Sequence, residues 1–294
     1  MPTYTLLITP DMEGRPVRRA AMGALGLSSG QFKRAKFHGQ MLLDGEPVLA
    51  DARLKAGQTL TLDIPEVQNT LPEPIAIPFE ILYEDEHFWI IAKPAPLPTA
   101  SSCHQDGPTL ENALFARLGC PQDFVYRPVN RLDKGTSGLM LAARTAHAQH
   151  LLQQMLHSDG FIREYLAVVE GAPPEDEGVI DLPIGKCEGA TVKREVRADG
   201  KPARTFYRVV KRGPRSLVRL RLDTGRTHQI RVHMSALGCP VAGDFLYGTE
   251  TDELPGRFAL HSAYVRVVHP VTGQVIGRES ELPQGLAELL EKFI

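Results

Sequence analysis

Cysteine is scarce in this 294-residue chain: Cys103, Cys120, Cys187 and Cys239 lie far apart and include no CxxC pair. Such usage argues for free thiols in a reducing compartment, and against a disulfide framework or a cysteine-ligated zinc site. The ten histidines include no HExxH, and His228 and His233 lack the spacing of two ligands on one helix face, so no metal is expected. No phosphate-cradling glycine loop or dinucleotide fingerprint is present, so no cofactor is expected either. No apolar run approaches the roughly 20 residues a membrane span needs. The opening MPTYTLLITPDMEG is too short and acid-broken for a signal peptide. A cytoplasmic location without membrane contact is therefore expected; a monomer is expected as well, though no residue pattern argues for it. There is no internal repeat, and the net charge of −2 carries no whole-chain signal for nucleic acid.

The distribution of charge is more telling. From Lys186 to Arg231 there are 14 Lys and Arg against 4 Asp and Glu, while Ala56 to Ala92 has neither Lys nor Arg. Such asymmetry suggests a face built for phosphates. The plain alternative is that strands with alternating Arg simply solvate their outer face. Hydrophobic content of 43% with 23% charged residues is ordinary globular composition, and the length suggests two domains.

Residues 1–64 read as a small module. It has a helix over Val17–Leu25, a basic helix start over Ser28–Lys36, a hairpin over Met41–Val48 turning at Asp44-Gly45, and a closing strand over Leu60–Ile64. Gly26-Leu27-Ser28-Ser29-Gly30 fits GxSxG, but a nucleophile elbow needs a buried strand before its serine, and Arg18–Met22 reads as helix. Residues 65–78 are proline-rich and aperiodic, which reads as an extended linker. The second domain, 79–294, opens with a hairpin of Ile81–Tyr83 and Phe88–Ala92, ended by Lys93-Pro94; the loop Pro98-Thr99-Ala100 is assigned no role. Helices are expected over Leu110–Leu118, Thr145–His157 and from Gln284. Strands are expected over Ile162–Glu170, Leu217–Asp223 and Phe258–Val268.

The most informative stretch is RPVNRLDKGTSGLMLAAR, Arg127–Arg144. Asp133 stands between Arg131 and Lys134, on a turn through Gly135-Thr136-Ser137-Gly138 that leads into the apolar run Leu139–Ala143. A carboxylate there is placed to be exposed, rigid and ionised. By residues alone it is equally a surface turn capped by Asp and Ser. Farther on, Thr224-Gly225-Arg226 turns into a helix over Thr227–Met234 with Thr227 as its cap. Ile230, Met234 and Leu237 point inward, which leaves His228 and Arg231 together on another face.

The string Arg-Leu-Asp-Lys-Gly-Thr-Ser-Gly-Leu resembles the signature of the RluA-type pseudouridine synthases. Lys93-Pro94 is similar to that family's Lys-Pro motif, and TGRTHQIRVHMSALGCPVAGD from Thr224 resembles its third motif; the three come in the family's order. The resemblance implies an α+β fold whose catalytic domain has a mixed, largely antiparallel sheet flanked by helices, with Asp133 in a basic cleft across its middle. It implies that Asp133 is catalytic, that Tyr165 lies against it and that Arg231 pairs with it. Arg131, Thr136, Arg226, Thr227, His228 and Gln229 complete the expected site as substrate contacts. Residues 1–64 resemble the small helix-hairpin RNA-binding module first described in a ribosomal protein, with Asp44 where Asn is usual in the turn.

The implied partner is RNA, ribosomal or transfer, and the implied reaction isomerises uridine to pseudouridine. That reaction breaks the bond from base nitrogen to C1′, turns the base and rejoins it through carbon. It needs no redox carrier or metal, only a carboxylate beside the anomeric carbon acting as nucleophile or base. A guanidinium keeps such a carboxylate ionised and, when bidentate, fixes its aim. Tyr165 would pack on the base and serve in proton transfer at C5. Arg131 would fill the space the flipped base vacates or hold its phosphate. Two other classes fit the same residues. One is a non-catalytic RNA-binding or ribosome-assembly factor on this fold, indifferent to replacement of Asp133. The other is a nucleoside hydrolase or glycosylase, which would shed free base.

Overall fold

The computed structural model describes residues 3–27, 29–64, 71–101, 107–189 and 192–291. The first of its two units, Met1–Thr70, carries β1 (Thr3–Leu7), α1 (Val17–Ala24), α2 (Ser29–His38), β2 (Gln40–Leu43), β3 (Glu46–Pro47) and β4 (Thr59–Asp63). The strands form one antiparallel sheet in the order β1-β4-β2-β3. Val17, Ala20 and Ala21 of α1, Phe32 and Ala35 of α2, and Leu60 and Leu62 of β4 close its core. The hairpin turn needs left-handed backbone at both central residues, and Asp44 and Gly45 have φ of 53° and 88°. Asp44 tolerates it because its carboxylate accepts the Thr59 N–H at 2.7 Å and the Gln58 amide at 3.0 Å. Edge strand β1 is absent from the sequence expectations. The GxSxG segment follows helix α1 and ends inside the first turn of α2, so it is preceded by a helix and not by the buried strand a nucleophile elbow needs; Ser28 itself lies outside the described residues.

The second unit, Leu71–Ile294, begins earlier than the expected boundary near Phe79. Leu71 and Ile77 pack against its core, and Asn112 donates to the Glu73 carbonyl at 2.9 Å. The later half of the proline-rich stretch is thus part of this unit; residues 65–70 lie outside the described residues.

In chain order this unit has β5 (Glu80–Glu84), β6 (Phe88–Lys93), α3 (Leu110–Arg117), β7 (Ser137–Ala143), α4 (Ala146–Met155) and β8 (Phe161–Glu170). Then come β9 (Glu177–Asp181), β10 (Ile184–Lys186), β11 (Arg194–Val196), β12 (Arg204–Lys211), β13 (Arg215–Leu222) and α5 (Gln229–Ala236). The chain ends with β14 (Leu260–Val268), β15 (Val275–Glu279) and α6 (Gln284–Glu291). The sheet order is β5-β6-β7-β14-β8-β13-β12-β9, with β15 also on β14, and only the β7–β14 pair is parallel. The fold is α+β with a large, mixed, mostly antiparallel sheet. Strands β10 and β11 form a separate two-stranded ribbon.

Both faces of the sheet's centre are buried, which is why β7 reads as an unbroken apolar run. Trp89, Ile91, Met140 and Ala142 face one core with α3 and α6; Phe88, Ile90, Leu139 and Leu141 face the other with α4. Strands β7 and β14 pair only at Ser137–Gly138 with His261–Ser262 and then part. The gap is filled by residues 128–130: Pro128 bridges Ala142, Val129 N–H donates to the Leu141 carbonyl, and Asn130 Oδ1 accepts the Leu141 N–H. Gly138 sits at the fork with φ 102°, where a Cβ would run into the Ser262 backbone.

Candidate active site

The segment 128–130 is zipped to β7, so residues 131–136 must turn tightly between them, and Asp133 lies on that turn. The Thr136 N–H closes it on the Asp133 carbonyl at 3.0 Å. A second loop clamps it from outside. Thr99 Oγ1 donates to the Leu132 carbonyl at 2.7 Å and accepts the Leu132 N–H at 3.1 Å, and the Leu97 N–H donates to the Lys134 carbonyl. Buried Lys93 holds that second loop through the Pro94 and Leu97 carbonyls, at 2.9 and 2.6 Å. Burial pulls the Lys93 ammonium down to about 7, against the attraction of Asp133. The loop assigned no role in the sequence is therefore the clamp on the candidate carboxylate. A Thr whose hydroxyl both donates to and accepts from one distant residue leaves no local pattern to read.

Asp133 keeps 31% of its side chain exposed and faces a cleft of ≈ 370 Å³. All nine expected site residues line this cleft: Asp133, Tyr165, Arg231, Arg131, Thr136, Arg226, Thr227, His228 and Gln229. Arg231 Nη1 lies 3.4 Å and His228 Nε2 3.8 Å from Asp133 Oδ2.

The expected bidentate pairing of Arg231 with Asp133 is not what forms. The fork is spent on Asp244, which is fully buried: Nε donates to Oδ2 at 2.7 Å and Nη2 to Oδ1 at 2.8 Å. Asp244 Oδ1 also accepts the N–H groups of Leu246 and Tyr247. Only Nη1 remains for Asp133. The guanidinium also lies 4.1 Å from the Phe258 ring centroid and 4.9 Å from that of Tyr247, so its position is over-determined. Asp244 ends the apolar run Cys-Pro-Val-Ala-Gly, and a carboxylate in such a setting requires a cation; that was the available signal.

The start of α5 also differs from expectation. Thr227 is exposed and caps nothing; the helix begins at Gln229, and His228 before it is left-handed with φ 59°. Gln229 is buried with its amide saturated. Its oxygen accepts from Thr224 Oγ1 and the Arg226 N–H, and its nitrogen donates to the Arg204 carbonyl and Thr205 Oγ1. With two donors and two acceptor sites used, it braces the loop and has nothing left for a substrate. Arg226 donates to the Pro202 carbonyl, Arg131 is exposed at the rim, and Thr136 is buried in the wall. Tyr165 on β8 is buried; desolvation raises its pKa, Arg163 opposes and Asp133 adds to the rise, so its hydroxyl stays protonated at neutral pH.

Much of the sequence's basic excess is neutralised by register. Arg204, Arg212, Arg215 and Arg219 pair with Asp181, Asp176, Glu170 and Glu164, all outside the basic stretch. Arg208, Lys211, Arg221 and Arg226 have no carboxylate within ion-pair distance among the described residues. The described cysteines Cys120, Cys187 and Cys239 are free thiols. Among the described residues no helix is long and apolar enough to cross a membrane.

Comparison with known proteins gives a consistent result. A family model described as RNA pseudouridylate synthase matches residues 87–236. The chain is 37% identical over 277 residues to the uncharacterized RNA pseudouridine synthase YjbO of Bacillus subtilis, covering 92% of this chain and 96% of that one. It is 39% identical over 270 residues to ribosomal large subunit pseudouridine synthase D of Xanthomonas campestris, covering 86% and 80%. Among solved structures, human RNA pseudouridylate synthase domain containing 1 superposes with a TM-score of 0.57 at 26% identity, over 74% of this chain and 94% of that one.

Proposed function

The chain belongs to the RNA pseudouridylate synthase family and is an isomerase acting on RNA, and we propose that Asp133 is its essential carboxylate. The observation that supports this best is the meeting of Asp133, Arg231 and His228 in a cleft whose rim carries Arg131 and Arg226. The N1–C1′ bond of the target uridine breaks, C5 bonds to C1′, the proton on C5 leaves and N1 gains one. Asp133 acts at the sugar, as nucleophile at C1′ or as base. Arg231, locked by Asp244, presents one N–H that stabilises the carboxylate without engulfing it. Tyr165, a neutral phenol before the reaction, packs against the flipped base and serves in proton transfer at C5, taking the proton that leaves as its own passes on toward N1.

Arg131 is exposed and has no ion-pair partner among the described residues, so it suits the space the base leaves. Arg226, Thr227 and His228 contact the ribose and phosphates of the target, with Thr136 in the wall behind. The substrate is structured ribosomal or transfer RNA; similarity to a ribosomal large-subunit synthase favours the former. In the N-terminal unit, Lys33, Lys36 and Phe37 on the exposed face of α2 suit an RNA contact. Free thiols fit a monomer working in the reducing cytoplasm. The test is a pseudouridine map of cellular RNA from a strain lacking the protein beside one carrying only Asp133→Asn. A site lost in both names the substrate and assigns Asp133 its role; a site lost only in the deletion strain removes Asp133 from it.

A further inference from the structure

Tyr247, in the segment that follows α5, is tied to the site through its hydroxyl. That oxygen accepts the Arg194 backbone N–H at 2.8 Å and lies 2.8 Å from His228 Nδ1. A phenol has one proton to donate, and among the described residues His228 Nδ1 is the acceptor it meets. A neutral imidazole that accepts at Nδ1 carries its own proton on Nε2. Nε2 is the nitrogen that faces Asp133, 3.8 Å from Oδ2, and Arg231 Nη1 approaches the same oxygen at 3.4 Å. Both donors converge on Oδ2, and Oδ1 receives no hydrogen bond from the described residues.

We propose that Tyr247 is a positioning residue that fixes His228 as an Nε2–H donor beside Asp133 Oδ2, leaving Oδ1 as the oxygen that meets the substrate. The assignment rests on Asp133 being the essential carboxylate. It gives the left-handed backbone of His228 a purpose, because φ 59° immediately before α5 brings the ring between Tyr247 and Asp133. The ring is 8% exposed and packs edge-on against the Tyr247 ring. Its neutral form is favoured first by burial and then by Arg231 and Arg194, against Asp133 and Asp244, which face it from the other elements. A proton on Nδ1 would oppose the Tyr247 hydroxyl proton. The hydroxyl therefore keeps a second positive charge away from Asp133 and preserves the basicity that the carboxylate needs.

The tautomer is measurable without turnover, by nitrogen NMR of the full chain carrying ¹⁵N-histidine, with His228 assigned through signals missing in His228→Gln. The expected result at pH 7 is a protonated Nε2 and an unprotonated Nδ1; a protonated Nδ1 overturns the proposal. Tyr247→Phe keeps the ring over Arg231 and removes the hydroxyl. It should lower kcat about tenfold with little change in KM. It should also move the acid limb of the pH–rate profile to higher pH, since Nδ1 then takes a proton unopposed. A lower rate with an unmoved limb would mean that Tyr247 only supports the Arg194 backbone, and would also overturn it. An Asp133→Asn protein that still turned over would remove Asp133 from the chemistry yet leave the tautomer measurement standing, so the two failures are distinct.

Discussion

Replacing Asp244 with Asn isolates what holds Arg231 in place. In the native protein the pair is almost wholly out of water, with side-chain exposures of 3% and 0%, and both carboxylate oxygens are engaged by the fork. Asparagine has nearly the same shape but sets an NH₂ against one arm of the guanidinium and leaves its charge uncompensated. Breaking one side of a buried pair costs about 3–5 kcal/mol. At roughly 2–4 °C per kcal/mol for a domain of this size, that lowers the melting temperature by about 10 °C. The freed guanidinium then turns to Asp133, the other carboxylate in reach, and takes up the lone pairs that the sugar needs, so the rate falls as well. Calorimetry of the full chain and single-turnover pseudouridine formation read the two effects. The double variant Arg231→Met with Asp244→Leu should recover much of the stability, because an apolar pair replaces a buried ionic one, while its rate stays low. A melting temperature within about 2 °C of wild type for Asp244→Asn, at full rate, would refute the placement of Arg231.

Thr99→Val removes both bonds to Leu132 without changing shape; it should cost about 1–3 kcal/mol and slow the reaction, and an unchanged single-turnover rate would show that the Asp133 turn is held without it. Acid should destabilise the protein below neutrality. Burial pulls His261 down to about 4 from 6.5, so between those values the unfolded chain binds the proton and the folded one does not. Stability from this group is complete above about pH 6.5 and falls by about 3 kcal/mol on the way to pH 4. His157, His228 and His233 are shifted in the same direction, all by burial first. Denaturant titrations across this window should show the slope, and His261→Gln should flatten it; a slope unaltered by that change would contradict the assignment.

What was legible in the sequence is the chemistry that a short string can carry. Asp133 between two cations, before a fully apolar strand, and an arginine on the helix after Thr-Gly-Arg are local patterns, and both groups line one cleft. The partners across the fold were hidden. Asp244 meets Arg231 because the chain returns under α5, and Thr99 reaches Leu132 across residues with no pattern in common. Gln229 is expected as a contact because it lies within the motif that carries the resemblance, but only coordinates show its amide used up. The charge excess from Lys186 to Arg231 is smaller on the surface than along the chain for the same reason. Antiparallel register sets acids of β8 and β9 beside those arginines, so charge counted along the chain is not charge on a face. Helix α5 begins two residues later than the start expected at Thr227, because the left-handed His228 and the Gln229 side chain make the turn instead.

The central claim is that Asp133 performs the isomerisation, and it is tested most directly with purified protein and an RNA labelled with tritium at C5 of uridine. Wild type should release tritium, because C5 loses its proton when it bonds to C1′, and should liberate no uracil. Asp133→Asn should bind the same RNA and release neither. Tritium released by Asp133→Asn at a rate near wild type, or free uracil from the wild-type reaction, would contradict it.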